Sequence, residues 1–364
     1  MGDSGRWRVV HVGTGMTGSV ALRAIIDDPD LELVGVKVST PDKVGVDAGR
    51  LCGRPDVGVP ATDDLDTVLA AEPDCVAYCA TAVRREDETI ADIAGYLAAG
   101  VNVVTISAIP MVYPGAAPAR WHDPIAAAAL RGGATFYATG CEPGFVSLNL
   151  PTALLTGAGA VESYRMDEYA LDLDLAYPIW EVLHESMGFG KPDGHVPARI
   201  ASGKVNADWE PVVRYLADIL GADVDRVALD WETVPAPHDL DTALGATIPA
   251  GSVCAHRWRL AAMQGDRAVT AVQYFATVTS TPWPPAWPRP VQPGGGMVLR
   301  VTGSPNMTLD LRLEPGADGT NPGVAATAMA AVNAIPAVIA APPGVLACPL
   351  SGPAVVTRQL IRRG

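Results

Sequence analysis

The sequence predicts an α/β chain of two domains: a first domain on a parallel sheet, and an α+β domain with a mostly antiparallel sheet. Its 364 residues exceed what one hydrophobic core usually holds, so two domains are expected. Hydrophobic residues make up 49% and charged residues 18% of the chain, a globular composition that excludes bulk disorder. Strand and helix signals alternate regularly over the first third, which is typical of a parallel sheet covered by helices on both faces.

The alternation in the first third can be assigned element by element. Apolar runs predict strands at residues 7–12, 31–38, 75–80, 101–106 and 135–138, and helical spacing predicts helices at 17–26 and 86–99. Thr62 is predicted to cap a further helix, with Asp63, Asp64 and Asp66 in its first turn, because carboxylates favour the positive end of a helix. Gly100 is predicted to end the helix at 86–99.

The pattern changes after residue 145, where the strand-like runs become longer and less regularly spaced. Strands are predicted at 164–175, 252–262, 268–278, 297–302 and 308–313, and helices at 179–187, 211–220 and 322–341. Pro336 is expected to kink or end the last helix, because proline lacks a backbone N–H. The proline-dense segment 281–293 is interpreted as a rigid loop rather than as a ligand for a partner. The predicted domains are therefore 1–145 and 146–321.

Charge, hydropathy and cysteine usage limit the classes of protein to which this chain is expected to belong. The formal net charge of −14 would repel a polyanion, so no nucleic-acid partner is expected. No apolar run reaches the ~20 residues of a membrane helix, and the N-terminus lacks the pattern of a signal peptide, so no membrane association is expected. Six scattered cysteines without a CxxC pair predict neither a metal site nor a disulfide framework, and a reducing cytoplasm fits them best.

The strongest motif is the glycine loop Gly13-Thr14-Gly15-Met16-Thr17-Gly18, which directly follows the first strand and opens the first helix. In that context GxGxxG is the fingerprint of a dinucleotide-binding Rossmann domain. The first glycine allows the tight turn, the second lets the backbone approach a pyrophosphate, and the third lets helix and strand pack closely. The helix N-terminus then offers free N–H groups to the phosphates.

The end of the second strand bears on which dinucleotide is bound. An acidic residue at that position would favour NAD(H), but here the strand runs into Ser39 and Thr40, and Lys43 follows closely. Two hydroxyls and a cation suit a 2′-phosphate, so NADP(H) is favoured, and NAD(H) stays possible because Asp42 and Asp47 lie nearby. The alternative for Lys43 is an ordinary solvated loop charge.

Two further strand ends are predicted to line the cofactor. Ala80 and Thr81 follow the strand at 75–80, and Ser107 follows the strand at 101–106. Because parallel strands end at the same edge of a sheet, Thr81 and Ser107 could contact cofactor or substrate there. Each could equally cap the helix that follows it.

Several longer segments carry a resemblance to a known family. HVGTGMTGSVALRAIIDDPDLELVGVKV at 11–38, AAGVNVVTIS at 98–107, TGCEPGFVSLNLP at 139–151 and AVNAIPAVIAAPPGV at 331–345 resemble a group of bacterial dehydrogenases. The group has a dihydrodipicolinate-reductase-like N-terminal domain and includes 2,4-diaminopentanoate dehydrogenase and native amine dehydrogenases. The resemblance implies a homodimer and hydride exchange between a nicotinamide and an amine or imine carbon. It also implies that a C-terminal helical segment, 322–364, completes the Rossmann domain, while 146–321 serves substrate binding and dimerisation.

The chain departs from the pattern of this group in two places. Dihydrodipicolinate reductases proper carry a His-His-x-x-Lys motif, and here His184 and Lys191 have the wrong spacing, so that activity is not expected. The amine-forming members place a catalytic glutamate just after the fifth strand, before a Tyr-Pro pair. The equivalent segment here, residues 107–114, reads SAIPMVYP and has no carboxylate. Ammonia-dependent amination as those members perform it is therefore in doubt.

The missing glutamate raises the question of which group supplies acid–base chemistry. Hydride transfer to C=O or C=N needs a proton donor near the acceptor heteroatom. Glu142, in the segment 140–145, could replace the missing group; the alternative is a hinge carboxylate held by a helix N-terminus.

A second set of candidates follows in the predicted substrate domain: Glu168, Tyr177 and His184. Glu168 and Tyr169 alternate on a strand, so only one of them can face a pocket. His184 is spaced to share a helical face with Glu181 and could donate a proton, or it could be a satisfied helix histidine. His256 is interpreted as structural.

Together these observations predict an NAD(P)H-dependent oxidoreductase acting on a small carbonyl, imine or amine. The alternative is a dinucleotide-binding regulatory or scaffold protein without turnover. A third reading is a cofactor-dependent lyase or epimerase that retains the hydride.

Overall fold

A computed structural model describes residues 5–177, 179–279, 283–291 and 295–347 of the chain. The chain divides into two units, which are described one at a time. Unit 1 takes residues 1–150 and 314–364, and unit 2 takes residues 151–313.

The elements are numbered in chain order. The strands are β1 Trp7–Val12, β2 Leu31–Lys37, β3 Ala61–Thr62, β4 Cys75–Tyr78, β5 Asn102–Thr105, β6 Thr135–Ala138, β7 Ala160–Ala170, β8 Arg226–Pro235, β9 Leu240–Asp241, β10 Thr247–Ile248, β11 Val253–Gln264, β12 Arg267–Thr277, β13 Gly296–Ser304, β14 Met307–Leu311 and β15 Gly344–Val345. The helices are α1 Met16–Asp27, α2 Ala48–Leu51, α3 Leu65–Leu69, α4 Glu86–Ala98, α5 Ala119–Gly132, α6 Leu150–Leu155, α7 Leu173–Ala176, α8 Ala198–Ala201, α9 Lys204–Ile219 and α10 Pro322–Ala340.

Unit 1 is built on a seven-stranded sheet in the order β15-β6-β5-β4-β1-β2-β3. All its neighbouring strands run parallel. The central strands are apolar runs without alternation, because helices cover both faces of a parallel sheet. Val10, Val76 and Val104, one from each of three strands, are completely buried. This order is that of a Rossmann domain, which confirms the predicted fold class.

Helix α10 belongs to unit 1 although it lies far along the chain. By length and composition it could cross a membrane, but it packs against α1 and β5, and Ala328, Val332 and Ile335 are completely buried. The helix continues through Pro336, which was predicted to kink or end it, and stops only at Ala340. The predicted helical segment through residue 364 is wrong at β15, where the chain is extended and pairs with β6. Residues 348–364, Cys348 among them, lie outside the described part.

Unit 2 is built on a six-stranded sheet in the order β14-β13-β7-β12-β11-β8. Every neighbouring pair is antiparallel except β7 and β12, which run parallel. The predicted mostly antiparallel α+β domain is therefore confirmed. Strand β8 was not predicted from the sequence. It lies at the edge of the sheet, and partly exposed strands lack a continuous run of apolar residues.

Helix α9 covers one face of this sheet. The Trp209 ring of α9 lies 5.5 Å from the Trp258 ring of β11, measured between ring centroids. The Thr270 hydroxyl of β12 donates to the Val213 carbonyl oxygen of α9 at 2.7 Å. On the opposite face Tyr169 stacks on Phe275, with centroids 5.1 Å apart.

The tryptophans of the proline-dense segment pack on this opposite face. Centroid distances to Phe275 are 6.0 Å from Trp283 and 5.4 Å from Trp287. Residues 281, 282, 292 and 293 of the predicted loop lie outside the described residues.

Several predicted boundaries require correction. Thr62 does not cap α3: it ends β3, and the Asp64 carboxylate accepts the capping bonds from the Asp66 and Thr67 amides. Thr62 is held extended because β3 pairs with β2. The strand predicted at 164–175 starts at residue 160 and stops at Ala170, before α7.

The helices of unit 2 also differ from their predicted bounds. The helix predicted at 211–220 begins at Lys204 and carries Pro211 in its interior. The segment predicted as a helix at 179–187 is helical at residues 180–186, and Val182–Ser186 within it form a π-helix. The interior Pro211 obscured the helical pattern of the first half of α9.

The described cysteines are buried and form no disulfide with one another: Cys52, Cys75, Cys79, Cys141 and Cys254. Among the described residues, no group of three or more histidine, cysteine, aspartate or glutamate side chains is placed to hold a metal ion.

Candidate cofactor and substrate sites

The glycine loop joins β1 to α1 and its three glycines meet different surroundings. Gly13 has φ +90°, and a Cβ there would lie 2.5 Å from the Ala80 amide nitrogen at the end of β4. A Cβ on Gly18 would overlap the Gly13 carbonyl oxygen. A Cβ on Gly15 would meet nothing within 4 Å. Gly13 and Gly18 therefore serve close packing of the backbone, and Gly15 leaves open space above the loop.

The start of α1 is suited to an anion. Gly15 occupies the N-cap position, so no side chain bonds the first amides of the helix, and the first turn carries no acidic residue. Amides at a helix N-terminus have no partner within the helix, and the helix dipole adds positive potential there. Thr14, Met16 and Thr17 complete the loop, and Met16 is largely exposed, at 62%. This arrangement fits a dinucleotide pyrophosphate.

Two side chains brace the loop from neighbouring strands. The Nε2 atom of His11, on β1, donates to the Gly13 carbonyl oxygen at 2.7 Å. Burial lowers the pKa of His11 to about 4, against the opposing effect of backbone bonds near Gly13 and Gly18, so this imidazole is neutral at physiological pH. The Nζ of Lys43 donates to the Thr14 carbonyl and hydroxyl oxygens at 3.0 and 2.9 Å. Lys43 is thus no solvated loop charge but part of the glycine-loop structure.

The predicted 2′-phosphate residues lie after β2. Ser39 and Thr40 are exposed, and the Thr40 carbonyl accepts the Lys43 amide at 3.0 Å. Asp47 points into its own loop, where it accepts bonds from the amides of Gly49, Val57 and Gly58. These bonds, with that of Val57 the strongest influence, hold the pKa of Asp47 below its usual value. Asp47 is therefore occupied with loop structure.

At the ends of β4 and β5, the alternative of helix capping is wrong for both predicted residues. Thr81 accepts the Val83 amide at 3.2 Å in a turn, and α4 begins later with Arg85 at its N-cap position. Ser107 donates its amide to the Thr105 hydroxyl at 2.9 Å and caps no helix. Ala80, Thr81 and Ser107 all lie at the same sheet edge as the glycine loop.

Glu142 lies in unit 1, directly after β6. Residues 142–144 are non-helical, and α6 follows them. The Thr327 hydroxyl of α10 accepts the neighbouring Cys141 amide at 3.3 Å. The segment that carries Glu142 is thus attached to α10, and both carboxyl oxygens of Glu142 are buried.

His184 and Tyr177 lie in unit 2 and the described contacts do not join them. The His184 ring donates from Nδ1 to the Phe189 carbonyl at 2.7 Å and stacks on Trp180. Its nearest carboxylate is that of Glu185, at 3.6 Å from Nε2, rather than that of the predicted Glu181. Tyr177 follows α7 and is 40% exposed. Within the described part of the chain no hydrogen bond connects Tyr177, His184 and Glu168.

Glu168 lies at the centre of the sheet of unit 2. It sits on β7 in register with Tyr274 of β12 and Met297 of β13. Burial raises the pKa of the Glu168 carboxyl to about 7, and the positive charge of Arg199 opposes that rise. A carboxyl with this pKa is half ionised at neutral pH, which suits acid–base exchange.

Comparison with known proteins decides the family. Residues 7–83 match the family of the dihydrodipicolinate reductase N-terminus. Over 336 residues the chain is 30% identical to an amine dehydrogenase from Streptomyces virginiae, covering 91% of this chain and 92% of that protein. The chain belongs to the amine dehydrogenase family, and it is an oxidoreductase.

Solved structures share the fold of this chain. The amine dehydrogenase from Mycobacterium smegmatis superposes with a TM-score of 0.67 at 22% identity, covering 93% of this chain and 94% of that one. A dehydrogenase from Clostridium difficile gives a TM-score of 0.51 at 11% identity, with 91% of each chain covered. At these identities the likeness concerns the fold.

One segment distinguishes this chain from the amine-forming pattern described above. After β5 the chain forms two short turns, Ile109–Met111 and Pro114–Ala116, and Met111 in the first turn is buried. The segment contains no carboxylate. In this member of the amine dehydrogenase family, any acid–base carboxyl must come from elsewhere.

Sequence reasoning missed three side chains around Glu168: Tyr274, Arg199 and, as more than a structural residue, His256. Tyr274 is the register partner of Glu168, and the Arg199 charge acts on Glu168, Tyr274 and His256. They lie 31 or more positions from Glu168 in the sequence (168 to 199 at the least), so no local spacing could have linked them. The only available signal was the alternation of polar residues within otherwise apolar strands.

Proposed function

We propose that this chain is a nicotinamide-dependent oxidoreductase that exchanges a hydride between NADP(H) and a small amine, imine or carbonyl compound. The proposal rests above all on the glycine loop at the uncapped start of α1, within a chain of the amine dehydrogenase family. When bound, the nicotinamide supplies or accepts the hydride. The chain's own residues hold the dinucleotide phosphates at the backbone amides that follow Gly15.

The preference for NADP(H) over NAD(H) depends on Lys43. Its ammonium lies against the glycine loop, and exposed Ser39 and Thr40 precede it after β2. A cation and two hydroxyls at this place favour a 2′-phosphate, while Asp47 is engaged by its own loop. The Lys43 ammonium has three donors and spends two on Thr14, which leaves one for a phosphate oxygen.

Further parts of the proposal follow from the motifs. The chain is not a dihydrodipicolinate reductase, because it lacks the His-His-x-x-Lys motif. Glu142, Glu168, Tyr177 and His184 are the candidates for acid–base work, and Glu168 is preferred because its pKa of about 7 suits it. We further propose a homodimer, on the family resemblance, and a cytoplasmic location, on cysteines that are scattered along the sequence without a CxxC pair.

Cofactor titration tests the first part of this proposal. Purified protein is titrated with NADPH and with NADH, followed by nicotinamide fluorescence. We expect tighter binding of NADPH, and Lys43→Ala should weaken NADPH about tenfold or more because a charge-assisted hydrogen bond is lost. Binding of NADH should change by less than about threefold.

Two controls make this titration decisive. Lys191→Ala removes a lysine of similar exposure that pairs with Glu185 in unit 2, and should leave both affinities unchanged. An equal loss of NADPH and NADH binding in Lys43→Ala would mean that Lys43 only braces Thr14. No binding of either dinucleotide would overturn the proposed function.

Turnover tests the second part. NADP⁺ reduction is followed by absorbance of the reduced nicotinamide during a screen of small amines, and NADPH oxidation during a screen of carbonyl compounds with and without ammonia. A regulatory or scaffold protein, which the carboxylate-free segment 107–114 would suit, predicts binding without turnover. A lyase or epimerase predicts product formation without a net absorbance change.

A further inference from the structure

The glycine loop begins with a peptide group whose orientation its own two residues do not fix. Gly13 has φ +90° and no Cβ, so its ψ angle, which sets the plane of the Gly13–Thr14 peptide, is weakly restrained. A Cβ could not be added as a restraint, because it would lie 2.5 Å from the Ala80 amide nitrogen. The orientation of this peptide therefore has to come from contacts with other parts of unit 1.

His11 supplies a contact that fixes the Gly13 carbonyl. Its Nε2 donates to the Gly13 carbonyl oxygen at 2.7 Å, and the imidazole is completely buried on β1. His11 lies in register with Val36 of β2 and Ala77 of β4, so paired strands flank it on both sides. A ring in so closely packed a place has little freedom to move, and the carbonyl that it binds is held in one direction.

The polarity of His11 stands out in its strand. Its neighbours on β1 are Val9, Val10 and Val12, all of them buried. Burying an imidazole among apolar side chains costs free energy unless its polar atoms are bonded. Burial lowers the pKa of His11 to about 4, so the ring is neutral at physiological pH, and its single N–H is the one that bonds Gly13.

Gly18 completes the environment of the same carbonyl. A Cβ on Gly18 would overlap the Gly13 oxygen, so this oxygen packs directly against the backbone of α1. Within the described part of the chain, no second donor bonds it. Gly18 thus provides the space for the carbonyl, and His11 provides its hydrogen bond.

The other side of this peptide faces away from the protein interior. The Gly13–Thr14 bond is trans, and in a trans peptide the C=O and N–H groups point in opposite directions. A carbonyl turned inward therefore turns the Thr14 N–H outward. No described backbone or side-chain acceptor takes that amide, and the uncapped amides of α1 follow it directly. Successive outward amides of this kind form an anion-binding concavity.

We propose that His11 is a positioning residue for the dinucleotide: by holding the Gly13 carbonyl inward, it keeps the Thr14 N–H directed at the pyrophosphate. The inference rests on the proposed function, which supplies the ligand. His11 acts through the loop and does not touch the dinucleotide itself, since its side chain is completely buried. NADPH and NADH share the pyrophosphate, so His11 sets the affinity for both alike, whereas Lys43 acts mainly on NADPH.

Fluorescence titration of the full chain with NADPH and with NADH tests this inference. His11→Phe keeps an aromatic ring in the strand and removes the donor, so the Thr14 amide loses its fixed direction. We expect Kd to rise about tenfold for both dinucleotides, because a hydrogen bond to a charged group is weakened. The ratio of the two Kd values should stay within about twofold of the wild-type ratio.

Two further substitutions separate the hydrogen bond from the mere presence of a ring. His11→Gln places an amide nitrogen close to the position of Nε2, and should keep both Kd values within about threefold of those of the wild-type chain. His11→Asn carries the same amide on a side chain that is one carbon shorter and falls short of the Gly13 oxygen. It should therefore resemble His11→Phe.

Ile93→Val controls for a general loss of stability. Ile93 is completely buried on α4, outside the glycine loop, and removal of one methylene group from a core destabilises a protein moderately. Urea denaturation compares the stability of Ile93→Val with that of His11→Phe, and circular dichroism checks that each variant is folded. Both Kd values of Ile93→Val should match those of the wild-type chain.

The outcomes separate the role of His11 from the proposed function. No binding of either dinucleotide by the wild-type chain would overturn the function. Kd values unchanged in His11→Phe, or raised as much in Ile93→Val, would retain the function and overturn the role of His11. A loss confined to NADPH would overturn it too, because the pyrophosphate is common to both ligands. So would a folded His11→Gln variant that binds as weakly as His11→Phe.

Discussion

The two units build their candidate sites from different parts of the chain. In unit 1 the glycine loop offers backbone amides at the start of α1, and the side chains of His11 and Lys43 brace it. In unit 2 the candidate group is the side chain of Glu168, which sheet register aligns with Tyr274 of another strand. A backbone site depends on close packing of the main chain, whereas a side-chain site depends on burial and charge. The two should therefore fail in different ways when they are mutated.

The two units also differ in the hydrogen-bond partners of their buried histidines. In unit 1 buried His11 has a partner at 2.7 Å, while buried His256 in unit 2 has none among the described residues. His11 leaves only Nδ1 without a partner among the described residues, whereas His256 leaves both ring nitrogens, so His256 should cost more stability. The predictions that follow set one unit against the other, beginning with the largest effect.

Substitution in the glycine loop should give the largest effect. Gly18→Ala places a methyl group onto the Gly13 carbonyl, so we expect a loss on the order of 3 kcal/mol or more in the free energy of unfolding, together with loss of dinucleotide binding. Gly15→Ala meets nothing and should keep the free energy of unfolding within about 0.5 kcal/mol, yet weaken the dinucleotide about tenfold. Urea denaturation and fluorescence titration measure both. Equal stabilities of the two variants would contradict the packing role of Gly18.

Removal of a hydrogen-bonded carboxylate should lower the free energy of unfolding by less than Gly18→Ala does. The loss should be larger in unit 2 than in unit 1. Asp167 of β7 is fully buried and binds Arg165 and Gln273, with the Arg300 guanidinium 3.5 Å away. Asp167→Ala leaves those donors unpaired and should cost about 3 kcal/mol. Asp47→Ala, which frees three backbone amides in a solvated loop, should cost about 1 kcal/mol. Urea denaturation tests this order, and a larger loss in Asp47→Ala would refute the contrast between the units.

The two buried histidines give the smallest effect at neutral pH. His11→Phe removes the bond to Gly13 and should cost about 1 kcal/mol at pH 7.5. His256→Phe removes two unpartnered nitrogens from an aromatic cluster and should leave the free energy of unfolding equal or slightly higher. A marked destabilisation of His256→Phe at this pH would show that its nitrogens are satisfied in the protein.

At acidic pH the same two histidines should affect the free energy of unfolding more strongly. Their folded pKa values, about 4 and about 3, lie below the unfolded value of about 6.5, so their contribution is complete above pH 6.5 and is lost as the pH falls. At pH 5 each should cost about 2 kcal/mol relative to pH 7.5. Urea denaturation at a series of pH values measures this loss of the free energy of unfolding. In each phenylalanine variant the loss should be smaller than in the wild-type chain by that amount. An unchanged acid limb in both variants would show that other groups control it.

Much of unit 1 could be predicted because its signals are local. A strand, three glycines at fixed spacing and a helix identify the phosphate loop within some twenty residues, and Gly100 ends α4 as predicted. The cap of α3 was misplaced by two residues, because Thr62 and Asp64 are both good caps and only pairing of β3 with β2 decides between them. The edge strand β8 and the interior proline of α9 escaped prediction because tertiary packing overrides local propensity there.

The sequence by itself determined the Rossmann fold, the family and the absence of a carboxylate in residues 107–114. Each of these depends on residues that follow one another in the sequence. Only the tertiary structure decided that Lys43 bonds Thr14, that Asp47 serves its own loop and that His256 has no hydrogen-bond partner within the described part of the chain. It also decided that Glu168, rather than Tyr169, shares a face with Tyr274 and His256. The physical reason is that burial and proximity set the pKa and the bonding of a side chain, and both arise from strands far apart in the chain.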